Sequence, residues 1–326
     1  MLKSYSMLCF FLSLAMILCP LCAVENVNNV FSNVNAENTE SDEIVENIDV
    51  STVKVMSVNS KNITEMTLGD YLLGVVAAEI NPTYHEETIK AQIIASHTLL
   101  LYVKKHKDDA LKNADITDDS TQHQAFLTTE QQKEKWGDNY DIYVSKISKC
   151  IDEVINLTLQ YEGEYINSVF HSMSNGRTED AKDVWGGDYP YLKSVQSVGD
   201  TLSPAHVSNV TVSVKDFEDK LKSHKVKLED KPEKWIKEIT NTETGMVKTI
   251  KIGDKEFKGT DIRTIFQLKS STFTVEYKDD NFIFTVKGYG HGVGMSQYGA
   301  NHMASQGFSY DEILKHYYKG IEIKEI

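Results

Sequence analysis

Tyr71-Leu72-Leu73-Gly74-Val75-Val76-Ala77-Ala78-Glu79-Ile80 is the stretch around which the rest of the chain is organised. Thr67 stands in N-cap position before it, and Asp70 completes a capping-box-like start in which glutamate is the more usual residue. This predicts a helix running through Tyr71 to Glu79, stopped by Asn81-Pro82, because a residue before proline avoids the α region. Glu79 is the single charged residue among the ten. A carboxylate at the end of a Val-Val-Ala-Ala run adds little stability, and loss of water there favours its neutral form and raises its pKa. A carboxylic acid that holds its proton near neutral pH can hand it to a leaving group. The plainer reading puts Glu79 at the solvated end of a helix whose apolar side faces the core.

Working outward, a second start signal follows at once. Thr83 is a candidate cap with Glu86 three residues on, and Ile89, Ile93, Leu100 and Val103 mark one face of a long helix to about His106. Ala77, Ala78, Ala91 and Ala95 let two helices approach closely, which places Glu79 at a corner where a groove floor can form. Residues 115–125 read as a polar loop, and Glu130 to Trp136 and Tyr140 to Leu157 as helices. Thr158 to Gln160, a Glu162-Gly163 turn and Tyr165 to His171 read as a β-hairpin. Ser172 to Tyr189 is a long polar loop, of the kind that usually carries function, and Tyr191 to Ser197 reads as a strand. Nearer the N-terminus, Val53 to Ser57 reads as the first strand.

From Val207 the chain changes character, and residues 207–287 are a candidate second lobe. Strands are expected at Val210 to Val214, Trp235 to Ile239, Val247 to Ile252, Ser271 to Tyr277 and Phe282 to Lys287, with short helices at Lys215 to Ser223 and Thr260 to Phe266. Gly288 to Gly294 is a Gly/His loop before a helix from Met295 to Ser305 that Gly307 ends, and Ser309 with Glu312 starts one more. No internal repeat is visible.

The chain has 326 residues and a net charge of -14. That balance argues against a nucleic-acid groove or a bilayer-surface patch, both of which need clustered Lys and Arg, and says nothing against a polysaccharide. Lys3 precedes an uncharged apolar run from Met7 to Val24. It reads either as a secretory signal, with a poor cleavage site near Leu21-Cys22-Ala23, or as an uncleaved membrane anchor at the short end of spanning length. Residues 1–24 are therefore expected to export the rest of the chain, and residues 25–52 to form a flexible acidic linker. Cys9, Cys19 and Cys22 lie in the export segment, so the exported part holds Cys150 alone and no internal disulfide. Core packing with Ile147, Ile151 and Val154 is the expected role of Cys150.

Two further stretches stand out. His171 ends a strand and opens the long loop containing Trp185-Gly186-Gly187, where a ring beside glycines suits the C–H face of a sugar as readily as it suits a buried pin. The loop around His291 is flanked by glycines on both sides and does not have the order of a phosphate loop. His85-Glu86 begins a zincin-like pattern, but Ile89 occupies the place of the second His, so no metal is expected. Ser172, His291 and Asp183 could assemble a triad, but no nucleophile elbow accompanies them.

Taken together, Tyr71 to Glu79, Ile89-Lys90-Ala91-Gln92, Phe170 to Glu179 with Asp183 to Gly187, and Gly290-His291-Gly292-Val293-Gly294-Met295-Ser296-Gln297-Tyr298-Gly299-Ala300 resemble the sporulation stage II protein D family, whose domain is shared with amidase-enhancer proteins. The resemblance runs from about Val53 to the C-terminus in the same order. It implies a membrane-tethered lytic transglycosylase that cuts peptidoglycan glycan strands stripped of stem peptides, acting with the stage II proteins P and M during engulfment. It implies Glu79 as the acid. Some members bind zinc through Cys-x5-Cys after the long helix, where this chain has Thr117 and His123, so no zinc is expected here. The family's usual Arg in that helix is His97 here.

The expectation is thus an α+β fold: a helical catalytic core over residues 53–326, β-hairpins forming an elongated groove, and a smaller β-rich lobe. Glu79 is the catalytic candidate. Gln92, His171, Ser174, Trp185, Tyr191, His291 and Gln297 are candidates for the groove wall. A single evident carboxylate favours transglycosylation over hydrolysis, which usually needs two, although Asp183 or Asp188 could supply a second. The competing expectation is a peptidoglycan-binding module that activates an amidase and cuts nothing.

Overall fold

Alternating burial along Thr52–Met56 makes β1, with Val53 and Val55 turned inward. The computed structural model describes residues 51–106 and 109–326. The expected export segment, and the linker through residue 50, lie outside the described residues. Among the described residues no helix is long and apolar enough to cross a membrane.

β1 pairs antiparallel with β2 (Ile63–Thr67). The next helix, α1 (Leu68–Glu79), begins as the caps require, with the Asp70 N–H donating to Thr67 Oγ1. Thr83 does not cap the following helix. Its N–H and hydroxyl both donate to Asn81 Oδ1, closing a turn of the kind Asn side chains favour, and α2 (Glu86–His106) starts after His85 instead. The 115–125 loop holds a two-residue strand, β3 (Ile116–Thr117), parallel to β1. α3 (Thr129–Trp136) starts at a capping box formed by Thr128 and Gln131, and α4 (Tyr140–Val154) follows.

β4 (Leu157–Tyr161) and β5 (Glu164–Tyr165) form the expected hairpin, but its second arm is short. Phe170–His171 leave it to become β6. The long loop contains a helix, α5 (Ala181–Trp185), capped by Asp180 and closed by Gly186 at positive φ. Residues 191–197 form no ladder, and the Arg177–Gln196 bridge is isolated.

Next come β7 (Val207–Ser213) and α6 (Val214–Leu221). β8 (Ile236–Asn241), β9 (Val247–Ile252) and β10 (Lys255–Lys258) form an antiparallel sheet. α7 (Gly259–Phe266) precedes β11 (Phe273–Lys278) and β12 (Asn281–Lys287), and β12 pairs with both β11 and β7. β13 (Met295–Ser296) pairs parallel with β6, so the expected helix starts two residues late, at α8 (Gln297–Ser305) with Ser296 as N-cap. α9 (Tyr310–Tyr317) has the Ser309–Glu312 capping box, and β14 (Glu322–Glu325) closes on β4.

The architecture is α+β, with several small sheets around a helical centre. One hydrophobic cluster is built mainly from α1, α2, α4, α9 and their neighbours, with Leu72, Val76, Ile93, Leu100, Ile147, Cys150 and Leu314 inside it. A second comprises residues between Val212 and Val286 and is dominated by aromatic rings. There the Phe217 ring lies 4.0 Å from Phe282 and 4.7 Å from Phe266. Each such side chain contributes about 1.5–3 kcal/mol on burial.

Candidate functional site

The site at Glu79 begins with a glycine. An interior helix glycine costs about 1 kcal/mol relative to alanine, so Gly74 in α1 needs a reason. A Cβ there would meet the Phe126 ring at 2.1 Å. The missing side chain lets that ring lie on the helix, stacked on Tyr71 at 6.1 Å. The Leu127 N–H donates to Gly74 O, and the buried Gln124 amide donates to Tyr71 Oη and Ser96 O. Residues 124–127 are thereby pinned along α1. Between the pins, the Ala125 N–H donates to Glu79 Oε1 at 2.7 Å.

Glu79 is the last residue of α1 and is half-buried. Burial pushes its pKa above the ordinary carboxyl value, opposed by the Ala125 N–H and then by the nearby Lys135 ammonium. Lys135 is itself occupied: its Nζ donates to Ala77 O at 2.7 Å, satisfying one of the carbonyls a helix leaves open at its end. With Oε1 held by the amide, Oε2 is the oxygen left to carry and transfer a proton. Glu79 faces an open concavity of about 440 Å³ whose walls include Ile80, Pro82, Lys135, Trp136 and Tyr143. One carboxyl oxygen is therefore held by a backbone amide while the residue lines a concavity open to solvent.

None of the seven expected wall residues lines that concavity. Five are buried, and internal bonds occupy most of their polar groups. The Gln92 amide donates to Ser96 Oγ while its Oε1 accepts from Gln297 Nε2 at 3.2 Å. The Ser174 hydroxyl and N–H both donate to Asp200 Oδ2 at 2.6 and 2.8 Å, and Ser296 Oγ donates to Asp200 Oδ1. Tyr191 Oη accepts from the Asn167 N–H.

The structure brings His171, Trp185 and His291 together around the β6–β13 pairing. The two imidazoles lie 5.6 Å apart, and Trp185 lies 5.1 Å from His291. The hydrogen bonds assign both tautomers. His171 Nδ1–H donates to Val293 O. His291 Nε2–H donates to Phe170 O, and its Nδ1 accepts from the Val293 N–H. Burial lowers the His171 pKa to about 4 and that of His291 to about 3, so both rings are neutral at neutral pH. Their visible work is to tie the two loops together. Trp185 remains 46% exposed.

Glu179, absent from the expected set, is a second buried carboxyl with a raised pKa, due first to desolvation. Thr242 and Thr244 in the β8–β9 turn donate to its Oε2. Asp183 and Asp188 are both exposed. Where the resemblance implies zinc ligands in other members, Thr117 Oγ1 accepts from the Asp119 N–H, and a threonine hydroxyl does not replace a thiolate. Among the described residues no three His, Cys, Asp or Glu side chains are placed to hold a metal ion.

The family model described as Stage II sporulation protein matches residues 57–161. Stage II sporulation protein D of Bacillus amyloliquefaciens is 36% identical over 276 residues, covering 84% of this chain and 79% of that protein. Its counterpart in Bacillus subtilis (strain 168) is 35% identical over 277 residues, with the same coverage. The amidase enhancer of Bacillus subtilis is 25% identical over 307 residues, covering 76% of this chain and 39% of that protein.

Proposed function

Because this chain belongs to the stage II sporulation protein D family, we propose that it is a lytic transglycosylase acting on the glycan strands of peptidoglycan, with Glu79 as its acid and base. The observation that carries this reading is Glu79 itself, desolvated at the foot of an open concavity with one oxygen fixed by the Ala125 N–H. In the first half of the reaction the Oε2–H protonates the bridging glycosidic oxygen, and the C1–O bond breaks as that oxygen leaves as an alcohol. In the second half the sugar's own 6-hydroxyl attacks C1, and its proton returns to Glu79. The ring closes to a 1,6-anhydro end and no water is consumed. One acid/base is enough for this sequence, whereas hydrolysis would need a second carboxylate across the bond to activate water. Glu179 is not suited to that task because threonine hydroxyls occupy it.

On this reading the protein acts on wall stripped of stem peptides during sporulation and engulfment, in an elongated groove. It is tethered by its N-terminal segment in the space between the mother-cell and forespore membranes, and works beside the stage II proteins P and M. The test is product analysis. Wild type should release anhydro-ended fragments from stripped glycan, and Glu79→Gln should lower that rate by at least about 100-fold, the scale of a lost general acid. Unchanged anhydro products from Glu79→Gln would remove Glu79 from the mechanism. The similarity to an amidase enhancer favours a second reading, a wall-binding module that activates a partner amidase. It predicts no anhydro ends from wild type and amidase stimulation that Glu79→Gln leaves intact.

A further inference from the structure

The wall around Glu79 carries donors that the chain itself does not use. Asn81, two residues on, lines the same concavity. Its Oδ1 accepts from the Thr83 N–H at 3.0 Å and from the Thr83 hydroxyl at 2.8 Å. A backbone N–H can only donate, so the atom facing Thr83 is the oxygen and the amide cannot be flipped. Both Nδ2 hydrogens are left over, with no acceptor among the described residues. Lys135, near the end of α3, lines the concavity as well. Its Nζ lies 2.7 Å from Ala77 O and 3.5 Å from Ala78 O. An ammonium has three hydrogens, so one remains beyond those carbonyls. Trp136 carries a buried Nε1–H that likewise has no acceptor among the described residues. Every side-chain nitrogen of this wall is a donor, and Asn81 and Lys135 are anchored by bonds to residues on either side of Glu79 in sequence.

The rest of the wall is apolar. Ala78 and Tyr143 are half-buried and Pro82 is buried. The Tyr143 ring is set by Trp136, whose ring stands edge-on to it at 5.6 Å. Donors beside apolar surface fit a ligand that holds an acceptor and a C–H group close together. A hydroxyl offers an acceptor and nothing for the apolar surface. A carboxylate would set like charge beside Glu79 whenever that side chain gives up its proton. An acetamido group supplies both parts, a carbonyl oxygen for the donors and a methyl for the ring. On a hexosamine it stands on C2, the carbon bonded to the anomeric centre.

We propose that Asn81, Lys135 and Tyr143 form a subsite for the 2-acetamido group of an N-acetylated hexosamine, the first two donating to its carbonyl and the third packing on its methyl. The subsite rests on the glycan-cleaving reading above and narrows it: the unit that meets Glu79 must be acetylated, and a strand whose amine has been freed there is a poor ligand. Both donors are fixed before the sugar arrives, so little ordering is lost on binding.

The experiment measures binding by calorimetry with the full chain carrying Glu79→Gln, so that strands stay intact. The probes are uncharged β-1,4-linked glucose-type oligomers of equal length that differ at C2 alone: acetamido, formamido or hydroxyl. The acetamido oligomer should bind about tenfold tighter than the hydroxyl one, the scale of two hydrogen bonds. It should bind about fourfold tighter than the formamido one, the scale of one buried methyl. Asn81→Asp keeps the acceptor that Thr83 needs and removes the Nδ2 hydrogens, and Lys135→Met keeps the stem and removes the ammonium. Together they should bring the acetamido-over-hydroxyl ratio to within about twofold. Replacing Lys135→Met by Lys135→Arg, which keeps donors there, should restore part of the ratio, a rescue that a misfolded wall would not allow. Tyr143→Ser should erase the acetamido-over-formamido difference. Equal affinity for the acetamido and hydroxyl oligomers, or a ratio indifferent to Asn81 and Lys135, would overturn the subsite. A formamido oligomer bound as tightly as the acetamido one would overturn the place given to Tyr143. The catalytic reading fails on a different result: an acetamido preference that depends on Asn81 and Lys135 while wild type yields no anhydro ends.

Discussion

Gly74 should reverse the usual sign of a helix glycine-to-alanine change. In an open helix the substitution stabilises by about 1 kcal/mol. Here the new methyl falls 2.1 Å from the Phe126 ring, so the ring must move and carry the Ala125 N–H with it. Gly74→Ala should destabilise by about 1–3 kcal/mol in a denaturant melt, as overpacking does, and should depress turnover more than substrate binding. A more stable, fully active variant would show that the pinned 124–127 segment does not matter. The second expectation at this scale concerns pH. On the proposed mechanism Glu79 donates in its protonated form, so turnover should fall as pH rises through a pKa lifted above the ordinary carboxyl value. Lys135 lowers that pKa, so Lys135→Met should move the falling limb to higher pH. A limb that stays fixed would separate Lys135 from the acid. The Ala125 N–H was not legible in the sequence, since every residue but proline has one; the visible clue was a glycine in a helix that did not need it.

At the scale of elements, what could be read were the caps and the periods. Thr67 with Asp70 and Ser309 with Glu312 start helices where their side chains say they should, because a capping bond is local. The β7–β12 and β11–β12 pairings follow alternating burial. What could not be read depends on partners distant in sequence. Thr83 has the look of a cap but is captured by Asn81. Phe170–His171 belong to β6 rather than the hairpin, because their partner is Met295–Ser296. Gln92, Ser174 and Gln297 look like groove residues in sequence, yet each is spent on another polar group inside. Asp200 shows why: it accepts from Ser174 and Ser296, joining the long loop to the start of α8. Asp200→Ala should leave these donors unsatisfied at about 1–3 kcal/mol, with thermal melting as the measure. A neutral result would mean water replaces the carboxylate.

At the scale of the whole fold, the described residues form two hydrophobic centres, one helical and one aromatic. The change of character at Val207 marks the approach to the second in sequence, and its ring stack around Phe217 is built from residues of α6, β12 and α7 that pattern alone does not place together. Phe217→Ala should cost about 3–5 kcal/mol. Hydrogen exchange should then show β7, β11 and β12 losing protection before α1 and α2, since separate cores open separately. Uniform loss across the chain would mean the centres unfold as one.

The rung between Phe170 and His291 joins positions 121 residues apart. Glu79 and Ala125, by contrast, are only 46 apart. Closing the longer span carries the larger entropy and should follow compaction of everything it encloses. During synthesis Glu79 and its Ala125 partner are therefore together well before the histidine-tied loops are, so a chain interrupted between Ala125 and His291 would carry that pair but no finished cradle beside His291. On the glycan-cleaving reading, such premature fragments would be poor cutters, a safeguard that comes from chain order alone.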